Sequence, residues 1–192
     1  MKKAIIGLVG YSGSGKTSFC DIVNAVYDIP RISTGNIVRA EAMRMGCKLT
    51  PENIIYISDK IRQETNGFLR KIKKDIEEVL DKNNFAIIDC LREMNDYREM
   101  ITICDNSIVL YIASEDVNRY SRILKRKRNE YLFTEKDFRK ITEFEKRLGI
   151  ESVMNQARYI IKNDESKKDF EKKAIDMISK IEKDRNIQFK EC

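Results

Sequence analysis

A three-layer α/β fold, with a five-stranded parallel sheet between helices, is predicted for the 192 residues by three observations. Short apolar runs alternate with longer segments whose apolar residues recur at helical spacing. The runs are apolar throughout rather than at every second residue, which suits strands covered on both faces. Each run is separated from the next by enough chain for a crossover helix, which parallel pairing requires.

The first run, Lys3 to Val9, ends in glycine and reads as a buried strand, and a helix follows over Lys16 to Tyr27 with Phe19, Ile22, Val23 and Val26 on one face. Ile29 to Ser33 is a second short strand. A helix from about Asn36 to Met45 stops at Gly46, where a left-handed residue ends helices readily. Thr50-Pro51 is an N-cap with proline in the first turn, and Ile54, Ile57 and Ile61 continue that helix. One helix is expected over Phe68 to Leu80, and Phe85 to Asp89 is a central strand ending in a carboxylate. Met94, Tyr97 and Ile101 mark a helix to about Cys104, before a strand over Ser107 to Ile112. Ser114-Glu115-Asp116 caps a helix that runs into the basic stretch Arg122 to Arg128. Thr134 starts another helix, with Phe138, Ile141 and Leu148 inward. Arg158 to Ile161 is the fifth strand, and Ser166 caps a last helix striped by Phe170, Ala174, Met177, Ile178 and Ile181.

Length and 42% apolar content fit one domain over 1–192. Within it, 34–80 reads as a helical acceptor-binding region and 119–147 as a basic lid. No run of about 18 apolar residues occurs, and the start becomes a glycine-rich loop too early for a signal peptide, so a cytoplasmic protein without membrane contact is expected. Five scattered cysteines suit reduced thiols, most of them in the core. With no histidine, His-based bases and the common zinc sites are excluded, leaving Lys, Arg, carboxylates, hydroxyls and bound metal. The formal charge of +6 admits an anionic partner, and solvated lysine-rich helix faces account for it equally well.

Gly10-Tyr11-Ser12-Gly13-Ser14-Gly15-Lys16-Thr17 fits G-x-x-x-x-G-K-[ST] between a strand and a helix. The chemistry needs that context. Glycines let successive N–H groups converge, and the helix N-terminus adds its partial positive charge for a phosphate. Gly10, Ser12, Gly13, Ser14, Gly15, Lys16, Thr17 and Ser18 are therefore the expected ATP-binding residues, with the Thr17 hydroxyl toward Mg²⁺. D-x-x-G and N-K-x-D elements are missing, which argues against a GTPase switch; large motor or AAA ATPases need more chain.

Ser33-Thr34-Gly35-Asn36-Ile37-Val38-Arg39 resembles the acceptor segment of adenylate kinases, S-T-G-D followed after two residues by Arg. The resemblance implies that Thr34 and Arg39 bind the acceptor, with Asn36 replacing the family's aspartate. More widely, the chain resembles an archaeal family of small nucleotide-kinase-like P-loop proteins related to adenylate and dephospho-CoA kinases. That likeness runs through Val38-Arg39, Asp89-x-x-Arg92, Arg122 and Arg126, Leu148-Gly149-Ile150 and Ile160 to Asp164. Lys140-Ile141-Thr142-Glu143 departs from the Arg- and Asp-rich run the family carries there.

These readings predict a nucleoside monophosphate kinase-like enzyme using ATP and Mg²⁺ on a small nucleotide-like acceptor. Lys16, Asp89, Arg122 and Arg126 are the candidate catalytic residues, Thr17 and Asp89 the metal residues, and Thr34, Arg39 and Arg92 the acceptor residues. Arg119, Arg122 and Arg126 are spaced to share a helical face over the γ-phosphate. A kinase of hydroxyl groups, of dephospho-CoA kinase type, is the nearest alternative; it wants a carboxylate base, for which these motifs offer Asp89. An ATP-hydrolysing switch with a macromolecular partner is the other, and no nucleic-acid motif supports an RNA-bound version.

Overall fold

The computed structural model describes residues 2–125 and 133–192. Its strands are β1 (Ala4–Val9), β2 (Arg31–Ile32), β3 (Phe85–Leu91), β4 (Ile108–Ala113) and β5 (Tyr159–Lys162). They form one parallel sheet in the order β2-β3-β1-β4-β5. β1 is central and every one of its residues is buried. Ala4, Ile6 and Leu8 point to one face, and Ile5 and Val9 to the other.

The first face is covered by α1 (Lys16–Asn24) and α10 (Lys167–Arg185), through Phe19, Val23, Phe170, Ala174, Ile178 and Ile181. The second is covered by α4 (Phe68–Lys71), α5 (Lys73–Asn83), α6 (Met94–Ile103) and α9 (Ile150–Met154), through residues such as Leu69, Ile76, Met100 and Val153. Gly7 in β1 makes room for this layer: a Cβ there would meet Leu91 Cδ1 at 2.5 Å and Met100 Sδ at 2.6 Å. A separate apolar cluster joins α2 (Thr34–Arg44) to α3 (Pro51–Thr65) through Val38, Ala42, Ile57 and Ile61. The remaining helices are α7 (Asp116–Lys125) and α8 (Glu135–Arg147).

The five strands fall where expected, although only Arg31 and Ile32 of the second run pair. α2 starts two residues earlier than expected, at Thr34, because the Ser33 hydroxyl accepts from Asn36 N and caps it. The single helix expected over Phe68 to Leu80 is two helices, broken at Ile72 (φ −111°, ψ 18°). α9 was not expected; it is one short turn after Gly149. Cys20, Cys90 and Cys104 are buried, Cys47 is partly buried, Cys192 is exposed, and all five are free thiols. No helix among the described residues is long and apolar enough to cross a membrane.

Candidate functional site

In an open parallel sheet, ligands gather at the carboxyl ends of strands where the chain departs in opposite directions. β1 is that point, since its neighbours β3 and β4 lie on opposite sides. The loop after it turns through Gly10, Gly13 and Gly15 with φ of 149°, 87° and 113°. Glycine is needed for space as well as for conformation: a Cβ on Gly13 would meet Arg119 O at 2.7 Å, and one on Gly15 would meet Asn163 Nδ2 at 2.2 Å. Asn163 Nδ2 donates to Ser14 O at 2.7 Å, fixing the loop from the end of β5. Lys16 opens α1 and is almost fully buried, and its ammonium donates to the loop's own Gly10 O (2.5 Å) and Tyr11 O (3.1 Å).

A cleft of about 280 Å³ lies over this loop. Ser12, Gly13, Gly15, Lys16 and Thr17 line its floor. Arg31, Arg39, Asp89 and Arg92 line one side, Leu49, Pro51 and Ile54 another, and Ile141, Phe144 and Glu145 of α8 the top. The cations are matched to partners. Arg31 donates to Asp89 Oδ2 through Nη2 (2.8 Å) and Nε (3.2 Å), and reaches Asp21 at 3.2 Å. Asp89 Oδ1 accepts from Thr34 N at 3.2 Å, tying β3 to the start of α2. Arg39 donates to the Asn36 side chain. Burial opposes the charge of Arg92, but Cys90, Glu145 and Asp89 outweigh it and hold the guanidinium protonated.

Glu145 was not anticipated. It is fully buried, and its carboxylate accepts from Ser12 N (Oε2, 2.9 Å) and Ser12 Oγ (Oε1, 2.7 Å), with Arg92 Nε 3.4 Å from Oε1. Its place in the helical register of α8 carried no chemical signal. Only packing of α8 over the loop brings it to Ser12.

The arginines of α7 divide. Arg119 is buried between the rings of Tyr11 (4.6 Å) and Phe138 (4.9 Å), and donates to Ser12 O (3.0 Å), Asp116 and Thr142 Oγ1. Arg122 donates to Ser114 Oγ (2.8 Å) and Asn163 O (2.5 Å). It borders a second hollow on the other side of Gly15, with Ser18, Asn163, Lys167 and Phe170, and does not line the Lys16 cleft as expected. The shared face failed as a guide because hydrogen-bond partners, not helical spacing, set where each guanidinium goes. Arg126 and Arg128 lie outside the described residues. Thr34 is buried at the start of α2, its hydroxyl 3.5 Å from Cys90 O.

The loop fits a phosphate. Its curl is one that glycines allow, it opens a helix N-terminus, and among the described residues its lysine has loop carbonyls alone as hydrogen-bond partners. The described residues contain no group of three Asp, Glu, Cys or His side chains able to hold a metal. The Thr17 hydroxyl on the cleft lining is an oxygen ligand of the kind that Mg²⁺ takes together with phosphate oxygens and water.

The fold and loop define a kinase-like P-loop domain, and the family described as an AAA domain matches residues 9–139. A UPF0200 protein of Pyrococcus abyssi is 31% identical over 181 residues, 92% of this chain and 96% of that one. The chain belongs to the archaeal UPF0200 family, within the AAA-domain P-loop proteins. Solved structures that it resembles include shikimate kinase from Bacteroides thetaiotaomicron (TM-score 0.58, 16% identity, 93% of this chain and 97% of that one). Dephospho-CoA kinase from Campylobacter jejuni is another (TM-score 0.53, 19% identity, 95% and 98%). These likenesses establish the fold.

Proposed function

We propose that this protein transfers the γ-phosphoryl group of ATP to a small, anionic, nucleotide-like acceptor. The observation that carries the reading is the Lys16 loop opening onto a cleft whose opposite side presents Arg31, Arg39 and Arg92. A kinase needs this pairing of a phosphate loop with a second, separately built anion site. The kinase names of the similar structures, shikimate and dephospho-CoA kinase, agree with a small-molecule acceptor.

In this reading the loop N–H groups and Lys16 hold the β- and γ-phosphates, and the nucleoside lies toward the hollow beside Ser18 and Arg122. Thr17, through its hydroxyl, and Asp89, through water, would hold Mg²⁺, which would supply charge neutralisation to the phosphates. Arg39 and Arg92 neutralise and orient the acceptor, while α8, the described part of the expected lid that lines the cleft, excludes water. Catalysis comes chiefly from positioning and electrostatics.

Lys16→Ala tests the assignment. Because Lys16 bonds its own loop alone among the described residues, the variant is expected to keep its melting temperature within a few degrees while acceptor-stimulated ADP release falls about 100-fold or more. Full turnover in a folded variant would exclude phosphoryl transfer at this loop.

A further inference from the structure

The cleft holds two carboxylates, and they are placed differently. Asp89 is anchored to the scaffold: Oδ2 takes two bonds from Arg31 and Oδ1 takes the Thr34 N–H that begins α2. A carboxylate offers about four lone-pair positions, so three bonds leave Asp89 one. Moving it would also release Arg31 and the start of α2. Glu145 takes two hydrogen bonds, one on each oxygen, both from Ser12. Among the described residues one lone-pair position remains on each oxygen, and because the side chain is 0% exposed an acceptor reaches it only as Ser12 turns its N–H and hydroxyl toward a bound phosphate. Arg92 Nε stands 3.4 Å from Oε1, close enough to stabilise the charge without closing the oxygen in an aligned hydrogen bond.

Position distinguishes them further. Ser12 lies within the phosphate loop itself, so a group bonded to its N–H stands beside the seat of the transferring phosphoryl group. Ile141 and Phe144 of the same helix line the cleft around Glu145 and make that side apolar. A buried, oriented carboxylate beside the phosphate seat is what an attacking O–H needs, and an acceptor phosphate, already ionised, does not.

We infer that Glu145 is the proton acceptor of the reaction, and that the acceptor group is a hydroxyl on an anionic small molecule rather than a phosphate. This inference rests on the proposed phosphoryl transfer. The acceptor oxygen bonds to the γ-phosphorus, its proton passes to a Glu145 oxygen, and the bond between the γ-phosphorus and the bridging oxygen breaks. ADP leaves with the electron pair, and the proton is later released to solvent. Arg92 is the positioning residue, holding the Glu145 carboxylate toward the loop.

Water is the simplest hydroxyl acceptor, and it makes the test independent of the natural substrate. Single-turnover loss of ATP, with identification of the phosphorylated product, is followed for the full chain and for Glu145→Gln and Glu145→Asp, with water alone, with shikimate and gluconate as hydroxy acids, and with AMP as a phosphate acceptor. MgADP affinity and melting temperature are measured alongside. Glu145→Gln is expected to lose about 100-fold in rate toward water and any hydroxyl acceptor, with MgADP affinity within twofold of wild type. Glu145→Asp, which keeps the carboxylate, should recover part of the loss. An unchanged rate in Glu145→Gln overturns the inference, as does a loss matched by weaker MgADP binding. A faster rate also overturns it, since Glu145 would then be an internal competitor of the γ-phosphate. Transfer to AMP that survives Glu145→Gln overturns the inference and leaves the kinase reading standing. A wild type that binds no nucleotide, or binds it and turns nothing over, ends the kinase reading and this one with it.

Discussion

Single residues at this site are fixed by what touches them. Gly15 has a left-handed φ of 113° and lies against Asn163, so a methyl group there meets two penalties together. Gly15→Ala is expected to cost about 1–3 kcal/mol in chemical denaturation and to weaken MgADP binding, because Asn163 must move off Ser14 O. Unchanged stability and affinity would mean that the loop relaxes freely. Tyr11 illustrates a residue whose place in the motif said nothing of its role. Burial, together with the 2.7 Å bond to Glu151 of α9, pushes its phenol up, so it stays a protonated donor linking the loop to that helix.

Among the elements, the start of α4 is held by a tertiary contact that periodicity does not show. Asp96, in the first turn of α6, is fully buried and accepts from Leu69 N at 2.9 Å, pinning the start of α4. Arg62 of α3 completes a buried cluster, 2.7 Å from Glu93, 3.5 Å from Asp96, and 5.2 Å from the centre of the Phe68 ring. Burial pushes the Glu93 and Asp96 carboxyls up, against the pull of Arg62. Since α3 also lines the cleft through Pro51 and Ile54, this cluster holds one wall of the site. Asp96→Ala leaves Arg62 buried with one partner fewer and should cost about 3–5 kcal/mol in urea or guanidinium denaturation. Disrupting the exposed Lys60–Glu64 pair, 4.0 Å apart on the same helix, should cost under about 1 kcal/mol. Equal effects would show that burial does not set the worth of these charges.

At the scale of the whole molecule, Asp164 joins the end of β5 to the start of α7. Its Oδ1 accepts from Ser114 Oγ (2.8 Å), Glu115 N (2.8 Å) and Asn118 Nδ2 (3.0 Å). Asp164 is exposed; the slight desolvation it meets raises its carboxyl, but the bonds from Glu115, Asn118 and Ser114, aided by Arg122, outweigh that and hold it below the usual range. A folded value below the unfolded one gives stability that is fully present above about pH 4 and is lost as the pH falls through the folded value. Asp164→Asn should therefore lower the melting temperature at neutral pH and flatten its decline below about pH 4. Glu93 and Asp96, shifted upward, act with the opposite sign: the folded protein gains relative stability as they take up protons. A variant curve parallel to wild type in the acid range would exclude Asp164 as a contributor.

The sequence by itself determined the layers of this protein and its phosphate loop. Apolar runs such as Ala4–Val9 can be satisfied only by burial on both faces, and Gly10 to Thr17 encode their shape through local conformational freedom. Both signals are short-range, so they can be read from neighbouring residues. The tertiary structure decided which charged groups share the cleft. Asp89 meets Arg31, Glu145 meets Ser12 and Arg92, and Arg119 and Arg122 part to different partners, across separations of up to 133 residues. A charged residue on an amphipathic helix looks alike whether it faces solvent or a phosphate seat. α8 places Glu145 over the loop through Thr142, Phe144 and Phe138, and that packing is a property of the folded chain alone.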